Sequence, residues 1–280
     1  MAMNPNDFAQ ICKLVLSRSA IVLETGKEYL VESRLVPLAK RKGYDSLEGL
    51  CADLRSNRTA GLADAVVEAM TTNETSFFRD LHPFDALKKE ILPTLIESRS
   101  NERRLRIWSA ASSSGQEIYS IGMLVRESFP QLATWDVKYL ATDLSTEMVA
   151  RSEQGLYSQL EVNRGLPAAH LIKYFTKDGV HWQIKPELRQ AIEFRALNLA
   201  EEWRAIPDMD VVFLRNVLIY FSAETKKAIL GRLRRVLKPD GFLFLGSAET
   251  TLNLDDEFER VQIDKASCYR LRAAEIRKAA

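Results

Sequence analysis

Leu105-Arg106-Ile107-Trp108-Ser109-Ala110-Ala111-Ser112-Ser113-Ser114-Gly115-Gln116-Glu117 runs from a short apolar block into a turn of small residues and ends on an acidic helix start. A short apolar run bounded by turn residues is the pattern of a buried strand, and the periodic segment Ile118 to Phe129 behind it is the pattern of a helix. The same alternation continues outward. Val137 to Thr142 reads as a second strand, Thr146 to Gln154 as its helix, and Asp210 to Leu214 as a third strand. Ser222 is placed to cap a helix running to Leu237, with Glu224 complementing its dipole. Lys238-Pro239-Asp240-Gly241 is expected to stop and turn the chain before a strand at Phe242 to Leu245, with Lys265 to Leu271 returning antiparallel. Strands alternating with helices predict an α/β fold around a largely parallel sheet.

Toward the amino terminus the pattern changes. From Phe8 to Met70 apolar residues recur at three and four, as in Phe8, Ile11, Cys12, Val15 and Leu16, which predicts four or five short helices and no strand. The polar stretch Thr71 to Ser76 breaks that period. We therefore expect a helical domain over residues 1–70, a linker over 71–80 and an α/β domain over 81–280. Within the last, Tyr174 to Phe194 carries its own alternation around Lys177-Asp178-Gly179, the pattern of a small antiparallel insert at about 174–195.

Composition narrows the classes of function. The 280 residues are 46% hydrophobic and 28% charged, with a net charge of +1, which gives no global reason to expect a nucleic-acid or membrane-surface partner. Cys12, Cys51 and Cys268 are scattered, so neither a disulfide framework nor a zinc site is signalled. His82, His170 and His181 lack metal-ligand spacing, and no metal is expected. Met1 to Asp7 lacks a signal-peptide profile and no stretch approaches the roughly 18 apolar residues of a membrane span, so a cytoplasmic setting is expected.

In open α/β sheets ligands bind beyond the carboxyl ends of the strands. The first such turn, Ala110 to Glu117, lets a ligand approach the backbone closely, or serves packing alone; it lacks the G-x-G-x-x-G of a pyrophosphate site. The second ends on Asp143, a carboxylate placed to accept both ribose hydroxyls or to cap the following helix. A small-residue turn and an acid one βαβ unit apart is the arrangement a nucleoside needs. At the third, an apolar strand runs into Arg215, Asn216 and then Tyr220, groups that line a site or are satisfied by backbone carbonyls. Asn198 follows another strand end, beside an adenine edge or in a plain turn. At the domain boundary Thr71-Thr72-Asn73-Glu74-Thr75-Ser76-Phe77-Phe78-Arg79-Asp80 stacks hydroxyls, an amide, aromatics and an arginine. It reads as a capped linker, or as a segment folding over a ligand and offering Arg79 to its carboxylate.

Taken together, Thr71 to Arg79, Trp108 to Glu117, Ala141-Thr142-Asp143 and Arg215-Asn216-Val217-Leu218-Ile219-Tyr220-Phe221 resemble CheR-type chemotaxis-receptor glutamate methyltransferases over nearly the whole chain. The resemblance implies a Rossmann-like methyltransferase sheet domain with a small β-subdomain insert behind an all-α amino-terminal domain. S-adenosylmethionine would bind between linker and sheet and leave as S-adenosylhomocysteine. By resemblance Asn73, Thr75 and Arg79 contact the cofactor from the linker, Glu117 meets the methionine ammonium and Asp143 the ribose. Asn198 with Leu199 borders the adenine, Arg215 and Asn216 line the transfer site, and Tyr220 sits near the methyl group. Arg79, Tyr220 and Arg215 are the implied catalytic set. Two features depart from the family pattern. Gln116 and Ile118 stand where it usually runs Glu-Glu-Pro, and the insert is compact, with only Thr176 to Lys185 between Phe175 and Pro186. Relatives that dock on a receptor's carboxy-terminal pentapeptide carry a longer hairpin, so by resemblance this chain does without that tether.

The implied partners are the cytoplasmic helical domains of chemoreceptors, with no nucleic acid and no membrane insertion. Lys40-Arg41-Lys42, Arg55 and Arg58 can steer toward an acidic receptor helix, or are solvated charges at helix ends. Two rivals stand beside this reading: a methyltransferase of another substrate, and a signalling adaptor that binds cofactor without turnover. An amino-group methyltransferase is expected to carry D/N-P-P-Y/F where this chain has Arg215-Asn216-Val217-Leu218, and the joint presence of Arg79, Glu117, Asp143 and Tyr220 weighs against the adaptor.

Overall fold

The computed structural model describes residues 3–272. Cα packing divides the chain into two compact units: one holds the chain up to Thr72 together with Tyr220–Thr225, the other Asn73–Ile219 and the chain from Lys226 onward.

The first unit is helical among its described residues, with α1 (Pro5–Ser19), α2 (Glu28–Arg41), α3 (Leu47–Ser56) and α4 (Leu62–Met70). Asn4 caps α1 by accepting from the Asn6 N–H, and Pro5 opens the helix where its missing N–H costs nothing. Of the predicted stripe, Phe8, Ile11 and Val15 are buried, Cys12 is half-buried and Leu16 is exposed; Val31, Leu35 and Leu38 of α2 are buried, whereas Tyr29 lies outside that face and is exposed. Arg34 of α2 donates to the Thr71 carbonyl at 2.9 Å and to the Thr72 hydroxyl at 2.8 Å, fixing the end of this unit. Tyr220 to Phe221 joins it through the Val22 N–H, which donates to the Tyr220 carbonyl at 2.9 Å, and an antiparallel bridge between Ile21 and Phe221.

The second unit begins with a helical run, α5 (His82–Ala86), a π turn (Leu87–Ile91) and α6 (Leu92–Ser98). It continues through β1 (Arg104–Ala110), α7 (Gln116–Ser128), a 3-10 turn (Pro130–Thr134), β2 (Asp136–Asp143) and α8 (Thr146–Gln154). Then come β3 (Leu156–Ser158), α9 (Gln159–Val162), α10 (Ala168–Tyr174), β4 (Phe175–Asp178), β5 (His181–Ile184), α11 (Pro186–Arg189) and β6 (Ile192–Ala196). After β7 (Met209–Leu214) and a 3-10 turn (Leu218–Tyr220), the chain closes with α12 (Ala223–Val236), β8 (Leu237–Leu245), β9 (Phe258–Ile263) and β10 (Ala266–Leu271). Seven strands form one sheet in the order β6-β2-β1-β7-β8-β10-β9. The first five run parallel, β10 is antiparallel to both neighbours, and the strand order reverses between β1 and β7. That reversal is where an open α/β sheet leaves a crevice at its carboxyl edge. β7 is buried along its whole length, as a central strand covered on both faces must be. Cys51 and Cys268 lie in cores, where burial pushes their thiols up to about 11 and about 12. No described helix is long and apolar enough to cross a membrane.

Two expectations need correction, and one strand lies beyond them. The insert expected at about 174–195 is a three-stranded sheet in the order β3-β5-β4 that takes its first strand from Leu156–Ser158, while Ile192–Ala196 joins the main sheet beside β2. The left-handed Gly155 ends α8 and turns the chain into β3, a strand too short to imprint an alternation. Lys238 to Gly241 does not stop the chain but bulges within β8, since Met209 pairs with Leu237 and Val211 with Phe242. A Cβ at Gly241 would meet the Asp210 and Lys238 carbonyl oxygens at 3.0 Å, which explains the glycine there. β9 is a further strand that the sequence reading did not assign.

Candidate active site

The site is assembled at the carboxyl ends of β1, β2 and β7. The turn after β1 puts Ala111, Ser113 and Gly115 at φ values of 55°, 51° and 89°. Two non-glycine residues held in the left-handed region is a strained arrangement that persists only where its surroundings over-determine it. They do. The Ser112 N–H donates to the Thr142 carbonyl at 2.9 Å, the Ser152 hydroxyl to the Ser113 carbonyl at 2.9 Å, and the Tyr157 hydroxyl to the Ser114 carbonyl at 2.6 Å. A Cβ at Gly115 would lie 2.9 Å from that of Ser152, so α8 packs directly on the turn.

Asp143, buried at the end of β2, accepts from the Ser113 N–H at 2.7 Å through one oxygen and from the Ser145 N–H at 2.9 Å through the other. Its carboxylate thus locks the small-residue turn against the second strand. The N-cap of α8 is Ser145, whose hydroxyl accepts from the Met148 N–H at 3.1 Å, while Asp143 holds the N–H of Ser145 itself.

Glu117, in the first turn of α7, accepts from the Ser109 hydroxyl at 2.8 Å and from the Arg215 guanidinium at 2.9 Å. Arg215 follows β7 directly, and its side chain is only 2% exposed. Its other terminal nitrogen donates to Asp80 at 2.7 Å and to the Arg79 carbonyl at 3.1 Å, while Nε has no hydrogen-bond partner among the described residues. A guanidinium this buried with one nitrogen left unpartnered is unusual, because buried polar groups are ordinarily satisfied. Beside it a cavity of about 460 Å³ opens between Asp80, His82, Gly246, Glu249, Lys265 and Tyr269.

The linker lies along the same turn. The Asn73 carbonyl accepts from the Ser113 hydroxyl at 2.8 Å, and the Phe78 N–H donates to the Ser120 hydroxyl at 2.9 Å. Arg79 donates to the Glu74 carbonyl at 2.9 Å, closing the linker on itself, and Thr75 is half-buried between them. Asn198 forms the turn after β6, donating to Glu201 at 2.9 Å and accepting from the Ala200 N–H at 3.0 Å, with Leu199 buried beside it. Asn216 adopts φ 59°, and its N–H donates to Glu249 at 2.7 Å. Asn73, Thr75, Arg79, Glu117, Asp143, Asn198, Leu199, Arg215 and Asn216 therefore all belong to the sheet unit, whereas Tyr220 belongs to the helical one.

Sequence reasoning missed Ser109, Asp80 and Glu249. Glu249 is buried and accepts from three backbone N–H groups, those of Gly246, Asn216 and Ile219, pinning the segment between Arg215 and Tyr220. It lies in the turn Gly246 to Glu249 beyond the carboxyl end of β8, and because all three of its donors are backbone amides its role leaves no residue pattern in the sequence.

The family described as "CheR methyltransferase, SAM binding domain" matches residues 73–267, and "CheR methyltransferase, all-alpha domain" matches residues 6–71. Chemotaxis protein methyltransferase 1 of Pseudomonas aeruginosa is 46% identical over 255 residues, covering 89% of this chain and 92% of its own. Chemotaxis protein methyltransferase Cher2 of Pseudomonas putida is 42% identical over 268 residues, covering 94% and 97%. Chemotaxis protein methyltransferase 1 of Vibrio cholerae is 37% identical over 276 residues, covering 97% and 99%.

Proposed function

The chain belongs to the CheR methyltransferase family and is an S-adenosylmethionine-dependent methyltransferase, and from that footing we propose that it esterifies glutamate side chains of chemoreceptors in the cytoplasm. The observation that carries this reading is the arrangement at three adjacent strand ends, where Asp143, Glu117 and Arg215 hold fixed positions around a small-residue turn. Their chemistry fits the cofactor part by part. Asp143 suits a ribose, Glu117 an ammonium, and the unpartnered Nε of Arg215 together with Arg79 suits a carboxylate. Asn198 and Leu199 border the adenine in this reading, and Asn73 and Thr75 close over it from the linker.

The bound cofactor supplies an electrophilic methyl group on a sulfonium. The acceptor needs no general base, because a glutamate with an ordinary pKa of ~4.3 is already ionised at neutral pH. The protein's task is alignment and partial removal of water, for which effective molarities of about 10⁵ to 10⁸ M are attainable. Arg79 and Arg215 orient the reacting groups and do not deprotonate the acceptor. The decisive experiment is radiolabelled methyl transfer to receptor-containing membranes followed by alkali. Release of labelled methanol marks a carboxyl ester, whereas a stable label means another acceptor atom and ends the glutamate reading.

The compact insert supports receptor recognition without a carboxy-terminal tether. Binding titrations with full-length and tail-deleted receptors are expected to give equal affinities, and binding confined to the tailed form overturns this part.

A further inference from the structure

The linker Asn73 to Arg79 has the small-residue turn on one side and the inserted sheet on the other, and the contacts with the insert are unusually close. Gly165, in the loop between α9 and α10, adopts φ +87°, and a Cβ there would lie 2.0 Å from the carbonyl oxygen of Phe77. No side chain fits, so the loop backbone rests directly on the linker backbone. The fully buried Phe77 ring meets Tyr157 of β3 edge-on at 5.1 Å and Phe175 of β4 at 5.7 Å. Edge-to-face geometry at these separations is favourable and holds the ring orientation. Arg164 pairs with Glu74 at 2.5 Å, although both side chains are 59% exposed and the pair adds little by itself. Tyr157 also reaches past Phe77 to the cofactor side, donating its hydroxyl to the Ser114 carbonyl at 2.6 Å.

We propose that the inserted sheet positions the cofactor-contacting linker, with Gly165 and Tyr157 as the positioning residues. This rests on the reading above that Asn73, Thr75 and Arg79 contact the cofactor. Gly165 admits the Asn163 to Leu166 loop flush against Phe77, and Tyr157 ties the same sheet to the turn that faces the adenosyl group. One rigid block therefore sets the separation between linker and turn. A docking module for receptor would affect acceptor binding, whereas a positioning block affects cofactor binding, and kinetics separates the two.

The experiment compares full-length wild type with Gly165→Ala, Tyr157→Phe and Val180→Ser, reading S-adenosylhomocysteine affinity by calorimetry and separate KM values for cofactor and receptor. Gly165→Ala is expected to raise the cofactor KM roughly 10–100-fold, since misplacement by about 1 Å away from the chemistry can cost on the order of 10²-fold. Tyr157→Phe keeps the ring, loses one hydrogen bond, and is expected to weaken S-adenosylhomocysteine about fivefold. Both leave the receptor KM unchanged, and Val180→Ser on the exposed hairpin tip changes none of the three values. A folded Gly165→Ala with wild-type affinity overturns the proposal, as does Tyr157→Phe shifting only the receptor KM. If Gly165→Ala does not fold, Tyr157→Phe decides alone. Asn73→Ala and Arg79→Ala run in parallel: unchanged affinity in both removes the linker reading and the positioning role with it. Weakened affinity there with none in Gly165→Ala and Tyr157→Phe removes the positioning role alone.

Discussion

Strand β7 runs between two buried arginines, each forked between two carboxylates, and the contrast between its ends separates stability from function. At the amino end Arg99 donates from Nε to Asp210 at 2.9 Å and from its terminal nitrogens to both oxygens of Asp240, at 2.8 and 2.5 Å. Asp210 is fully buried and takes a further contact from Lys238 at 2.9 Å and one from the Arg106 N–H at 2.8 Å. Every guanidinium nitrogen has a partner. At the carboxyl end Arg215 shares out its terminal nitrogens in the same way but keeps Nε unpartnered, and one of its carboxylates, Asp80, is 49% exposed. The first is a closed staple; the second has a donor left for a ligand. Incomplete satisfaction in a buried site is expected where binding, not folding, completes the network.

The largest effect is expected at the staple. Arg99→Ala leaves Asp210 buried with less compensation, and removal of one partner from a buried network costs about 3–5 kcal/mol. Thermal unfolding is expected to shift down by several degrees while S-adenosylhomocysteine affinity stays at the wild-type value, and a large loss of affinity in the folded variant makes the two ends functionally alike. Next in size is Arg215→Gln, expected to slow methyl transfer about 10²–10³-fold, the scale for removing one preorganised donor from a reacting site. Its melting temperature is expected to fall less than that of Arg99→Ala. The reverse ranking means that Arg215 is a staple too.

Tyr220 sharpens the contrast from outside the sheet unit. Tyr220→Phe removes a hydroxyl and is expected to lower kcat about tenfold with cofactor affinity nearly intact, as for an interaction made only in the transition state. Lost affinity with unchanged turnover assigns it to cofactor binding instead.

How much of this was legible depends on the range of each interaction. The spans of β2 and α8 could be read closely, because local signals bound them: Ser145 caps α8 and Gly155 ends it in a left-handed turn. Glu117, Asp143 and Arg215 stand directly at strand ends, so topology alone nominated them. Asp80 could not be nominated in that way. It meets Arg215 across 135 positions, and a single pairing at that distance leaves no periodic trace. Glu249 was obscured differently: its work is to bind backbone amides, which no residue pattern advertises. β3 was missed because its three residues are held by Tyr157 packing and not by alternation. Lys238 to Gly241 carried real turn chemistry, but Arg99 and Lys238 bind the acids on either side and keep the bulge within β8.

The smallest expected effect tests whether the staple acts through charge. The hydrogen bond from Arg99 holds the Asp240 carboxyl below its ordinary value, although burial opposes the shift. A lowered folded-state value means that the unfolded chain binds the proton more readily. The stabilisation is then present above the unfolded value near ~3.9 and lost as pH falls through the lower folded one. Asp240 is 53% exposed, so solvent screening limits this to under about 1 kcal/mol. Denaturant titrations of wild type and Asp240→Asn are expected to show a stability gap at about pH 6 that narrows as the pH falls below the ordinary carboxylate range and the wild-type carboxyl takes up its proton. A gap constant over that range means that Asp240 holds Arg99 by shape and packing, and the difference between the two ends of β7 would then lie in hydrogen-bond geometry and not in charge.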